Sequence, residues 1–328
     1  MASANLSLET QAVMSTRKGR SPLGDAMHQL LNNRVAFISG VFIIALILVA
    51  IFANQIAPHP YDGFALKLTD EPPMTRSDDG ELFILGTDKL GRDVLSRTIH
   101  GARISLAVAF IASIVSLIIG VLYGLIAGYG SQSRDNLMMR IVDFLYGFPF
   151  IIAIILIQVV VKAYSNSAEG LSGIWGALIN IDQAMGGIFI MFIAIGLISW
   201  LGMARIVRGQ TLATKRKEYI EAARAVGDKD GRIIMRHILP NIIGPCIVAE
   251  TLAIPGYILL ESFLSFIGLG ANPPTPSWGI MISENVGALR TAPWEVFVPS
   301  IALTLTVLAF NFLGDGLRDA FDPRMRDK

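Results

Sequence analysis

Long apolar runs alternate with shorter polar stretches along most of the chain. Six runs are long enough to cross a membrane as helices: 35–57, 105–128, 141–161, 187–204, 242–267 and 296–313. About 20 apolar residues, rising about 1.5 Å each, cover the roughly 30 Å of hydrocarbon in a bilayer. The fourth and sixth runs contain Trp200 and Asn311, which blur their ends. The pattern predicts an all-α membrane protein with six transmembrane helices. The first run, Val35 to Ala57, has 23 residues and follows a polar stretch carrying Arg17, Lys18, Arg20 and Arg34. The apolar part of a signal peptide is only about 7–15 residues long, so this run is expected to be a retained span.

Composition agrees with the pattern. Of 328 residues, 53% are hydrophobic and 16% charged, against about 25% charged in soluble domains. Mean hydropathy is +0.56. The single cysteine, Cys246, lies inside an apolar run; it allows no disulfide within the chain and reads as a small buried hydrophobe.

Charge changes the picture through its placement. The N-terminal stretch, the C-terminal stretch and the loops 129–140 and 205–241 hold 19 Lys and Arg, against 8 in 58–104, 162–186 and 268–295. Basic loops stay cytoplasmic, so both termini and the 205–241 loop are expected inside. The resulting layout is a cytoplasmic tail 1–34, a first transmembrane helix 35–57, an extracytoplasmic segment 58–103, a transmembrane domain 104–316 and a cytoplasmic tail 317–328. Near the end of the extracytoplasmic segment, Leu90, Val94, Leu95, Thr98, Ile99 and Ala102 fall at helical spacing. They predict a short amphipathic surface helix with Asp88 as its N-cap. Gly120, Gly124 and Gly128 recur every four residues in the second span, a spacing that lets helices approach closely.

The most informative polar stretch is EYIEAARAVGDKDGRIIMRHILPN, residues 218–241. Tyr219, Ala222, Ala223 and Val226 form a shallow apolar stripe at i, i+3, i+4 and i+7. Gly227 suits the left-handed position that ends a helix. Asp228 or Asp230 can start a second helix, and Pro240 is expected to break it before the fifth span. Such a helix–turn–helix could lie on lipid headgroups, pack beneath the bundle, or dock into a soluble partner. Two alanines in the stripe favour a protein groove over lipid, which prefers Trp, Phe and Leu. Lys215, Arg216, Lys217, Lys229, Arg232 and Arg236 lack interleaved aromatics, so contacts to headgroups or a protein fit better than nucleic acid.

Ionisable residues inside spans are candidates for function. Glu250, Tyr257 and Glu261 share one face of the fifth span, with Glu250 near mid-membrane. They are candidate pathway-lining residues facing a wet cavity, or else caps and ion-pair partners. Pro255 is a candidate kink in the same span. Asp143, beside Arg140, is expected to form an ion pair or a cap. Of the four histidines, His28, His59, His100 and His237, only His59 and His100 could meet outside the membrane, and two histidines rarely make a metal site. No G-x-x-x-x-G-K-[ST] phosphate loop is present.

The 218–241 stretch resembles the EAA loop of ABC-importer permeases. Glu221, Ala222, Ala223, Gly227, Leu239 and Pro240 match its pattern, while His237 stands where an isoleucine is usual. GTDKLGRDVLSRTIHGARISL, MRIVDFLYGFP, ESFLSFIGLGANPPTPSWG and FNFLGDGLRDAFDPR resemble the C-type subunit of dipeptide and oligopeptide importers. The resemblance covers about residues 34–324. It implies a type I ABC importer permease fold in a bacterial inner membrane, with 214–241 as the coupling loop and those six matching residues at the ATPase contact. Ala222 and Ala223 would pack in the ATPase groove. It further implies a second, B-type permease, two cytoplasmic ATPases that use ATP and Mg²⁺, and an extracytoplasmic peptide-binding protein. The chain itself would bind no cofactor and catalyse no reaction. Short peptides are the implied cargo, with nickel chelates, glutathione or another small solute as alternatives. A gradient-driven transporter would show paired inverted repeats, and a membrane enzyme a nucleophile–base pair or metal cluster; neither stands out.

Overall fold

The computed structural model describes residues 22–65, 67–166 and 173–321. Helices α1 (Pro22–Asn32), α2 (Arg34–Ile51) and α3 (Ala53–Ile56) open the fold. A small antiparallel hairpin follows, β1 (Thr75–Arg76) against β2 (Leu82–Phe83), with Thr75 opposite Phe83. Then come α4 (Val94–Tyr129), α5 (Gln132–Tyr146), α6 (Phe150–Asn166), α7 (Ile174–Ala184) and α8 (Phe189–Thr214). The chain ends with α9 (Glu218–Ala225), α10 (Asp230–Ile233), α11 (Leu239–Phe266), α12 (Trp278–Asn285) and α13 (Trp294–Phe321).

Among the described residues, five helices are long and apolar enough to cross a membrane: α2, α4, α8, the run Asp230–Phe266 and α13. A sixth crossing is available if α5 and α6 are taken as one span, bent by 69°. The bend falls at Gly147–Phe148–Pro149, where the sequence pattern had suggested one continuous span. Proline cannot donate the backbone bond that an unbroken helix needs, and the residue before it is pushed out of the helical region.

The second span also differs from expectation. No separate amphipathic helix precedes it. α4 runs unbroken for 36 residues from Val94, about 54 Å at helical rise. Its N-cap is Asp93, whose carboxylate accepts from Ser96 N at 2.8 Å and from Ser96 Oγ at 2.6 Å. Asp88, the expected cap, is buried in an ion cluster instead. Near the fifth span, helix continues through Pro240 because a π turn, Ile234–Ile238, precedes it. Leu239 N donates to Ile234 O, five residues back. The wide turn lets a proline follow inside the first turn of α11.

Hydrocarbon gives apolar side chains little reason to leave lipid for one another, so helices in a membrane hold together by close packing and polar ties. The three-glycine row supplies the first. A Cβ on Gly120 would sit 2.6 Å from Met203 Cβ, one on Gly124 2.6 Å from Ala204 O, and one on Gly128 2.8 Å from Thr211 Cβ. α4 and α8 therefore lie backbone to backbone. Around them, Val108, Ala112, Met191, Ile195 and Leu264 are fully buried where α4, α8 and α11 converge. Ala109, Ile258, Trp278 and Phe310 join α4, α11, α12 and α13.

Replacing Gly124 by valine is expected to destabilise the purified protein by about 1–3 kcal/mol, the usual result of overpacking. Gly209→Ala on α8 should be close to neutral, because nothing lies within 4 Å of a Cβ there. Thermal unfolding in detergent compares the two.

Candidate functional site

The 218–241 segment is a compact helical hairpin built from local rules. Glu218 and Glu221 occupy the first turn of α9, where their charges favour the positive end of the helix dipole. Its C-terminus closes as a Schellman motif: Asp228 N donates to Ala223 O at 3.1 Å, and Gly227 N to Arg224 O at 2.9 Å. Gly227 has φ +91°, a conformation open to glycine and hard for a β-branched residue. Asp228 then faces Arg232 Nη1 at 3.1 Å and His237 Nε2 at 3.7 Å.

One residue that the stripe did not mark holds this hairpin to the bundle. Ile220 is fully buried with Ile233, Ile238, Ile242 and Cys246 from the following helix, Leu125 from α4, and Met203 and Val207 from α8. With Ile220 turned inward, the opposite side of α9 is left open. Tyr219 is 40% exposed and Val226 89% exposed, and Ala222 is exposed with them. Ala223 is half-buried against the Ile220 cluster. Leu239 is half-buried on the same cluster, and Pro240 is exposed. Glu221 is exposed.

Polar ties surround the hairpin. Asp135 of α5 takes a two-pronged bond from Arg208 of α8, at 2.5 and 2.7 Å. Asp143 pairs with Arg205 at 2.6 Å rather than with neighbouring Arg140, and Arg205 stacks 4.0 Å from the centre of the Tyr146 ring. These pairs pin α5 to α8 just before the chain enters the hairpin.

The carboxylates of the fifth span are buried, Glu250 at 4% and Glu261 at 0% exposure. Glu250 accepts from Ser116 Oγ of α4 and from Tyr257 OH, each at 3.0 Å. Ser116 also lies 3.2 Å from Ser199 O of α8. Glu261 accepts from Ser105 Oγ at 2.9 Å and Ser265 Oγ at 2.6 Å. The expected shared face is present for Glu250 and Tyr257, which touch. Both carboxylates tie α11 to α4 inside this subunit.

At the end of the bundle away from the hairpin lies an ion cluster that sequence reading missed. Asp88 accepts from the backbone N–H of Leu90 and Arg92, and pairs with Arg92 Nε at 2.7 Å and Arg97 Nε at 3.6 Å. Glu284 of α12 receives Arg92 Nη2 at 2.8 Å and Arg97 Nη2 at 3.3 Å. Asp88, Arg92 and Arg97 are buried. The local signal was the dense D-K-L-G-R-D charge pattern; the partner, almost two hundred residues away, had none. His59 and His100 do line one cavity of about 360 Å³ with Tyr61 and Asp62. Their rings are engaged elsewhere: His59 Nε2 lies 3.2 Å from Leu82 O, and His100 Nδ1 2.9 Å from Ser96 O. Among the described residues no group of three or more His, Cys, Asp or Glu is placed to hold a metal ion.

This architecture has a counterpart among solved structures. A chain of the inward-facing methionine ABC transporter MetNI matches it with a TM-score of 0.51 and 19% identity, over 69% of this chain and 97% of that one. The fold is that of a type I ABC importer permease. The chain belongs to the family described as the binding-protein-dependent transport system inner membrane component, whose model matches residues 120–327. A second model, the N-terminal TM domain of oligopeptide transport permease C, matches residues 21–74. Similar relatives include the oligopeptide transport system permease protein OppC of Haemophilus influenzae, 40% identical over 94% of this chain and 91% of that protein. OppC of Bacillus subtilis is 38% identical over 95% and 92%. The glutathione transport system permease protein GsiD of Pectobacterium atrosepticum is 37% identical over 97% of each. The chain is therefore an inner-membrane transport component, and not an enzyme.

Ile220→Ala should loosen the hairpin, since removing a fully buried isoleucine costs about 2–5 kcal/mol. Faster amide exchange across 218–238, with the spans unchanged, is the expected reading. Glu250→Gln keeps the volume and one acceptor, so folding stability should fall by only about 0.5–1.5 kcal/mol, one net hydrogen bond. Glu250→Leu, which removes both acceptors and leaves the Tyr257 hydroxyl without its bond to Glu250, should fall further in the same melting assay.

Proposed function

We propose that this chain is one permease subunit of an ATP-driven importer of short peptides, and that the 218–241 hairpin is its cytoplasmic coupling loop. The observation that carries the coupling role is the two-sided hairpin: Ile220 locks one side into the bundle, while Tyr219, Ala222 and Val226 stand open on the other. An apolar face this shallow and this rigidly backed suits a groove in a folded partner. A cytoplasmic ATPase fits that description, because a pump needs an energy source and the chain has no phosphate loop of its own. The excess of Lys and Arg on the loop and tails supports a cytoplasmic hairpin.

The partners follow from the same reading. Two ATPase subunits would bind ATP and Mg²⁺, a second permease would complete the pathway, and an extracytoplasmic binding protein would deliver cargo. Closure of the ATPases would bias a two-state bundle, with this hairpin as the lever. Peptide cargo is supported by the names of the relatives, which cover oligopeptide, dipeptide and glutathione transport. Glutathione is itself a tripeptide, so all three share an amide backbone with charged ends. Glu221, Ala222, Gly227 and Pro240 would contribute to the ATPase contact, with Ala223 and Leu239 supporting it from behind. Glu250, Tyr257 and Glu261 would act by tying α11 to α4 and so keeping the lever stiff.

Val226→Asp tests the contact. The side chain is nearly fully exposed, so the permease should fold and melt as before, while an unpaired charge carried into an apolar groove is expected to cost several kcal/mol. ATPase subunits should no longer co-purify with the variant from native membranes, and peptide uptake should collapse. Wild-type co-purification and uptake would count against the assignment.

A further inference from the structure

The hairpin is joined to the bundle by more than its own two covalent ends, and one helix collects the additional ties. α4 is not adjacent to the hairpin in sequence, yet its last turn is held by three separate parts of the loop. Lys215 Nζ, before α9, donates to Gly128 O at 2.7 Å. Arg224, on α9, places its guanidinium 5.4 Å from the centre of the Tyr129 ring. Asp230, at the start of α10, accepts from Tyr129 OH at 2.6 Å. Tyr129 is the final residue of α4, half-buried at the edge of the Ile220 cluster. Both arms of the hairpin thus grip one side chain. Its ring sits between a cation over the face and an anion at the hydroxyl.

The other end of α4 is equally well held. Arg97, in its first turn, reaches Asp88 and Glu284. The cap Asp93 holds Ser96, whose Oγ also accepts from His59 N at 3.0 Å. Between these ends α4 is a single helix with no proline. The glycine row keeps its C-terminal part against α8, and Ile104, Val108 and Ala112 share a buried cluster with α8 residues farther along. A packed helix of this kind moves as a body, because its interior contacts do not deform continuously.

We propose that α4 is a rod that carries displacement of the coupling loop to the opposite face of the bundle, and that Tyr129 is the positioning residue by which the loop grips it. The inference rests on the coupling role proposed above. It goes beyond that role in naming the receiving helix, the gripping residue and the destination, the Asp88–Arg92–Arg97–Glu284 cluster. In this arrangement α11, continuous with α10, takes one part of the loop's motion directly. α4 takes the other part through a side chain.

The test uses the assembled transporter in membrane vesicles, in a Cys246→Ala background with a reporter cysteine at Leu90→Cys, beside the ion cluster. A membrane-impermeant maleimide reads its accessibility with and without ATP and vanadate. Wild-type Tyr129 should give an ATP-dependent change in labelling rate. Tyr129→Ala should keep the ATPase subunits bound and lose that change. Tyr129→Phe removes the donor and Asp230→Ala the acceptor of the same hydrogen bond. Each should reduce the change, and the double variant should do no more than either alone, the signature of one shared interaction. If Tyr129→Ala fails to assemble, these two milder variants decide the outcome by the same comparison. An unchanged response in the variants, or no response at Leu90→Cys in a wild-type complex that hydrolyses ATP, overturns the proposal. Val226→Asp run in parallel separates it from the docking assignment. Loss of ATPase binding in Val226→Asp with a full response in Tyr129→Ala leaves the docking intact and refutes the rod. Retained ATPase binding in Val226→Asp refutes the docking itself.

Discussion

The close approach of α4 and α8 is the contact on which the rest of the structure depends. Lipid offers no hydrophobic drive for bringing two apolar helices together, so the contact must come from surfaces that fit. Three glycines without side chains let the backbone of α4 meet Met203, Ala204, Val207 and Thr211 of α8. Once that pair is set, α8 delivers the chain into the hairpin at a defined height. α4 presents its last turn to receive it. Ile220 then finds Leu125, Met203 and Val207 already side by side, and the hairpin acquires a back wall.

Polar groups inside the bundle serve the same end. Glu250 and Glu261 would be costly in hydrocarbon without partners. Each accepts from hydroxyls, one of them from α4: Ser116 for Glu250 and Ser105 for Glu261. The result is two rungs between α4 and α11, roughly three helical turns apart. A third, ionic rung closes the far end, where Arg92 and Arg97 bridge the segment before α4 to Glu284 of α12. The bundle is thus cross-braced by charge and hydroxyl where apolar packing alone would let helices slide. That bracing gives the hairpin a firm back while Tyr219, Ala222 and Val226 stay open on its other side.

Much of this was legible from residue order. The apolar runs marked the spans because the bilayer imposes one length on all of them. The four-residue glycine spacing marked a packing face, and Gly227 marked the end of a short helix, because both are local consequences of backbone geometry. The family followed from short motifs with fixed spacing. What remained hidden was nonlocal. Asp88 was the expected cap; a salt bridge to arginines claimed it, and Asp93 caps the helix. Ile220 lay off the apolar stripe and gave no sign of being the anchor. Asp143 had an arginine three residues away in Arg140, yet the bundle brought Arg205 closer.

The sequence by itself determined that this is a multi-span membrane protein with a charged helical hairpin between its fourth and fifth apolar runs, since length, apolarity and charge placement are properties of each segment alone. Tertiary structure decided which side of the hairpin is free, which helix it touches, and which hydroxyls the buried carboxylates meet. Those outcomes depend on pairs such as Tyr129 with Asp230, Ser116 with Glu250 and Arg92 with Glu284, separated by 101, 134 and 192 residues. Only the close-packed bundle brings such pairs within hydrogen-bonding distance, and no local pattern records them.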